Sequence, residues 1–125
     1  MNRMLLCVAS CLVVLSFTCV ASQADDDKDK KFKYSIEDVM KKGFKGDLCK
    51  KVARGKAKKE EVKTLIAMLT DMSKQKPHKG DAKSWKAKCD ALLAAAKGVQ
   101  QGKAGAGAKL GKAANCKACH MVHKK

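Results

Sequence analysis

From Ser35 onward, apolar residues recur at spacings of three and four, the period of an amphipathic helix. Ser35 followed three residues later by Asp38 resembles a capping box. Ile36, Val39, Met40, Gly43, Phe44, Leu48 and Val52 then form one stripe. Gly43 and Gly46 each weaken a helix by up to about 1 kcal/mol relative to alanine. A bend, or two shorter helices, is therefore expected before Gly55 closes the segment. Lys58 to Gln75 gives the clearest helix, striped by Val62, Leu65, Ile66, Leu69 and Met72. Pro77 ends it, Gly80 allows the turn, and Asp81 suits the N-cap of a third helix running to about Gln101. That helix carries Trp85, Cys89, Leu92, Ala96 and Val99 on one face, and Trp85 is assigned to the core. Gly102 to Gly107 breaks the chain. Ala108 to His123 then reads as one last helix. No segment alternates with period two, so the fold class is all-α with four helices.

The N-terminus does not belong to that pattern. Arg3 precedes an almost wholly apolar run from Met4 to Val20, and small residues follow in Ala21-Ser22-Gln23-Ala24. This is the layout of a secretory signal, residues 1–24, removed after about Ala24. Residues 25–34, beginning with three aspartates, are expected to be a charged, disordered leader. The helical domain spans residues 35–125.

Export changes the cysteine arithmetic. Of seven cysteines, Cys7, Cys11 and Cys19 leave with the signal, and Cys49, Cys89, Cys116 and Cys119 remain. Cys116-Lys117-Ala118-Cys119-His120 is the attachment signature of a c-type haem. The chemistry demands the spacing. Two vinyl groups each take one thioether bond, and positions i, i+3 and i+4 share a helix face. The imidazole then arrives beneath the iron as the thiols are joined. Cys49 and Cys89 are an even pair in an oxidising compartment, so either a disulfide or two buried thiols fits them. Gly43, one helical turn after Met40, is expected to leave room for a flat macrocycle. His78 is read as a solvated loop residue. His123, one turn beyond His120 on the same side of the haem, is excluded as a distal ligand and is expected near a propionate or the haem's exit edge.

Charge is lopsided, with 28 Lys and Arg against 12 Asp and Glu, formally +16. Nucleic acid is excluded as the partner because the chain is exported, its lysines are scattered round every helix, and aromatics for base stacking are nearly absent. The basic surface instead fits steering toward an acidic redox partner or an anionic membrane surface. No Ser-His-Asp set or paired carboxylates suggest hydrolysis, so the chain is not read as an enzyme.

Four helices with Cys116, Cys119 and His120 on the last of them resemble the class II c-type cytochromes, the cytochrome c-prime family. The resemblance covers roughly residues 35–124 and includes the local stretch Ile36-Glu37-Asp38-Val39-Met40-Lys41-Lys42. It implies an up-down-up-down four-helix bundle with one covalent haem c on the C-terminal helix. Met40 stands where the low-spin members carry a distal methionine, so a His120–Met40 iron passing single electrons is implied. On its stripe alone, without the resemblance, Met40 reads as core filling. The high-spin members leave the distal face open and bind small gases such as NO or CO, which is the alternative function. The resemblance further implies a periplasmic location, and pairing through the first helices would make a homodimer.

Overall fold

The computed structural model describes residues 31–124, and they form an all-helical structure. The expected signal sequence, the Asp25–Asp27 run, and Cys7, Cys11 and Cys19 lie outside the described residues. Helix α1 (Ile36–Asp38) passes directly into a π-helical segment (Val39–Lys45). Helices α2 (Leu48–Ala53), α3 (Lys59–Lys74), α4 (Ala82–Gln100), α5 (Ala106–Ala113) and α6 (Cys116–His123) follow. Among the described residues no helix is long and apolar enough to cross a membrane.

The capping box forms as the sequence predicts. The Ser35 hydroxyl accepts from the Asp38 N–H, and the Asp38 carboxylate accepts from the Ser35 N–H and hydroxyl. Those bonds, with Lys41 and Lys42 nearby, hold the Asp38 carboxyl below its ordinary value. The element does not continue as an α-helix. Seven residues follow the wider i→i+5 ladder, which advances fewer degrees per residue and re-aims every side chain after Val39. Val39 and Gly43 turn inward, while Met40 and Phe44 lie at the margin of the core. The expected break then occurs at Gly46 and Asp47, where Asp47 takes φ 61°.

Leader residue Tyr34 is tied down. Its N–H donates to Asp71 at 3.1 Å, and its carbonyl accepts from the Gln75 side chain at 2.7 Å. The same Gln75 accepts from the Ile36 N–H at 3.2 Å. Together these bonds fix the start of α1 on the end of α3.

Helix α4 is central, packed between α3 and α5, with α2 closing against α5. The core draws on the predicted stripes: Val62, Leu65, Leu69 and Met72 from α3, and Trp85, Cys89, Leu92 and Ala96 from α4. Trp85 is 4% exposed and its indole N–H donates to the Met72 carbonyl at 3.3 Å, so it is a core residue as expected.

The last predicted helix is two helices. Asn115 leaves the helical region at φ −77°, ψ 95°, and its side chain accepts from the Ala118 N–H at 3.1 Å. An asparagine that can cap the following turn offers the backbone an alternative to continuing, and the chain takes it.

Candidate functional site

The break at Asn115 frees α6 from the line of α5. Only His123 is buried in α6; Cys116 and His120 are exposed and Cys119 is half-buried. Cys116, Cys119 and His120 share one side of the helix and border a cleft between α6 and the π-helical segment. Asn115 therefore starts the helix that presents the motif, a role for which its preference at N-caps was the available sequence signal.

Two adjoining cavities make up the cleft, of about 370 Å³ and about 540 Å³. Met40, Lys41, Cys119 and His120 border both. The first is strongly apolar, with Phe44, Met72, Cys89 and Leu92 in its wall and Cys116 at its edge. Lys41, Lys45, Lys50 and Lys88 also border it. The second is bordered by Glu37, His78, Trp85, His123 and Lys124 as well. The structure thus brings Met40 and His120 to a common cleft from opposite ends of the described chain. Met40, Lys41, Phe44 and Lys45, at positions i, i+1, i+4 and i+5 of the π-helical segment, all border the first cavity.

Gly43 does not border the cleft. A Cβ there would meet Met68 Sδ at 3.6 Å, Val39 at 3.7 Å and Leu65 at 3.8 Å, so Gly43 faces the core against α3. The expectation that it makes room for a macrocycle is corrected; the i→i+5 register separates it from Met40.

Cys49 and Cys89 are both buried free thiols, so the disulfide expected as one alternative is not formed. They sit behind different parts of the site. Burial pushes the Cys49 thiol from the ordinary 9.0 to about 11, and Cys116 adds to the shift. Burial pushes Cys89 to about 12, with Cys119 and Asp90 adding. Both behave as small apolar groups at neutral pH. Cys119 is also raised, mainly by burial.

His123 is an anchor. It is 3% exposed and meets Trp85 edge-on, ring centroids 5.4 Å apart and planes at 71°. A carbonyl can only accept, so the Lys79 oxygen 3.0 Å from Nδ1 places the proton there. Nε2 is then free to accept from the Ser84 hydroxyl at 3.3 Å. This triangle pins the end of α6 to the loop before α4 and to α4 itself. His123 also borders the second cavity. Its role as an anchor had no signal in the sequence, because Lys79, Ser84 and Trp85 meet it only in the fold. His78 is exposed, as expected, yet it borders the second cavity.

Among the described residues no three His, Cys, Asp or Glu side chains converge closely enough to hold a metal ion between them. No family model, no characterised protein and no solved structure matches the chain.

Proposed function

We propose that this chain is an exported monohaem c-type cytochrome carrying single electrons, with Cys116 and Cys119 holding the haem, His120 as proximal iron ligand and Met40 as distal ligand. One observation carries the reading: two thiols and an imidazole on one face of α6 share a cleft with a thioether from the opposite end of the described chain. The residues fit the group. The first cavity is walled by Phe44, Met72, Cys89 and Leu92, which suit an apolar macrocycle, and both thiols reach its edge. The cavity volumes fall in the range of about 300–1,000 Å³ that small-molecule and cofactor sites occupy. Imidazole is a common iron ligand, and a thioether opposite it raises the potential. A zinc module is less favoured, because the motif's thiols and imidazole do not converge on a point.

A bound haem would supply one-electron exchange at iron. The chain's own residues do the rest. Cys116 and Cys119 would hold the haem through two thioethers, and His120, on the turn carrying Cys119, would ligate the iron. The anchor at His123 keeps α6 from drifting with oxidation state. Met72, Cys89 and Leu92 exclude water from one side, which limits reorganisation when charge changes. Lysines bordering the cleft would orient an acidic redox partner. The six helices would count as the four arms of an up-down-up-down bundle, with the first and last arms each divided. No hydrolytic constellation is invoked, and export to the periplasm follows from the signal sequence and the haem chemistry.

Visible spectra of the exported protein test the reading in the oxidised state, the reduced state, and the reduced state under carbon monoxide. Sharp low-spin bands indifferent to carbon monoxide, with carbon monoxide binding gained in Met40→Ala, are the expected result. A wild-type spectrum that shifts at once with carbon monoxide would assign an open distal face and the gas-binding function. A colourless protein would reject haem altogether.

A further inference from the structure

We infer that His78 and Lys124 receive the propionate edge of the haem, and that His78 thereby tunes the reduction potential. The inference rests on the haem reading above. A c-type haem has two unlike edges: the vinyl edge that takes the thioethers lies opposite the edge carrying two propionates. The two halves of the cleft differ in the same sense. Cys116 and Cys119 both border the first cavity, whereas only Cys119 borders the second. Along α6 the thiols come first, then His120, then His123 and Lys124. The wall away from Cys116 is therefore the one that holds Glu37, His78, His123 and Lys124.

Two of these four are unsuited to a carboxylate. His123 is engaged at both nitrogens, with Lys79 and Ser84. Glu37 would repel a carboxylate, and it pairs with Lys41 at 3.7 Å. Lys41 borders both cavities and is the partner of Glu37, so His78 and Lys124 remain as the donors particular to this wall. Lysines of the first cavity are poorer candidates. Lys45, Lys50 and Lys88 border the half that holds both thiols, and Lys50 pairs with Asp47 at 2.9 Å. The charged and titratable groups facing His78 across the second cavity are Glu37 and Lys41 from the first helical segment, Cys119, His120 and His123 from α6, and Lys124 at its C-cap. α4 contributes only Trp85, and Lys79 is the next residue in its own loop.

Reduction adds one electron to the site. A proton held on His78 stabilises that added charge, and releasing the proton to solvent removes the stabilisation. Histidine is the side chain that exchanges its proton between about pH 5 and 8. The potential should therefore fall as pH rises across that interval.

The test uses holoprotein whose covalent haem is established by mass. Midpoint potentials are measured spectroelectrochemically against pH for wild type, His78→Gln, Lys124→Gln and Lys76→Gln, the last outside the cleft. The expected result is a sloping segment in wild type that His78→Gln loses and Lys76→Gln keeps. Lys124→Gln should lower the potential at every pH and leave the slope. Equal slopes in wild type and His78→Gln, or a flat wild-type profile, would overturn the assignment to His78 while the haem reading stands. A chain that carries no covalent haem would overturn both.

Discussion

Gly80 occupies a position no other residue fills well. Its φ is +87°, and a Cβ there would lie 2.7 Å from the Val122 carbonyl and 2.8 Å from His123 Nδ1. Both the backbone conformation and the close approach of α6 require glycine. Gly80→Ala should cost more than about 1 kcal/mol, and it should loosen α6 first. The check is amide hydrogen exchange, with α6 losing protection ahead of α3 and α4. Uniform loss across all helices would mean that the anchor is not a local device. The two core thiols give a second residue-scale prediction, with a definite sign. In a thiol the deprotonated form carries the charge, and burial disfavours it. The unfolded chain releases these protons near the ordinary 9.0, the folded chain only near about 11 for Cys49 and about 12 for Cys89. Their contribution is intact below pH 9 and is lost as pH climbs toward those values. Denaturant midpoints should drop as pH rises from about 9 toward about 11, and the Cys49→Ala/Cys89→Ala variant should drop less. An equal drop would assign the alkaline loss to other groups.

At the scale of elements, two glycines that look alike in sequence have opposite roles. Gly43 lies in the π-helical segment with ordinary van der Waals room for a methyl. Gly43→Ala should be tolerated or should stabilise by roughly 0.5–1 kcal/mol, since glycine costs a helix about that much. Gly107 lies in α5 where α2 crosses closest, and its Cβ would fall on the Ala53 carbonyl. Gly107→Ala should destabilise by about 1–3 kcal/mol, the cost of overpacking. Thermal melts of the two variants check both signs. This contrast also marks how far the sequence carries. The α3 and α4 stripes, Ser35, Asp81 and the Gly46 break are legible because each rests on contacts within a few residues. Cys116, Cys119 and His120 are legible because the motif fixes its own geometry. The π-helical register is not legible, because an α-helical period and an i→i+5 ladder place the same residues on different faces. Gly43 was misassigned for that reason, while Met40 reached the cleft. The Asn115 break was legible only in part: asparagine favours an N-cap, but the anchoring of His123, which joins α6 to α4, forms only in the fold.

For the whole molecule, charge and cleft act together. The full chain carries +16, and Lys41, Lys45, Lys50 and Lys88 stand on the wall of the first cavity. A net positive field around a cleft attracts anions and repels cations over about a Debye length, about 10 Å at 0.1 M salt. The sign of the reactant should therefore decide how salt acts, whatever the natural partner is. With the proposed haem in the cleft, reduction by an anionic reagent such as ascorbate should slow as ionic strength rises, because salt screens an attraction. Reduction by a cationic reagent such as a ruthenium hexaammine should quicken, because salt screens a repulsion. Stopped-flow rates at several salt concentrations separate the two cases. Charge-removing variants at Lys41 and Lys88 should shrink both effects more than a variant at Lys103, which lies outside the cleft wall. If the four-lysine wall does the steering, the opposite trends of the two reagents converge when that wall is neutralised. If net charge alone acts, Lys103 is worth as much as Lys88, and the cleft has no special part in choosing the partner.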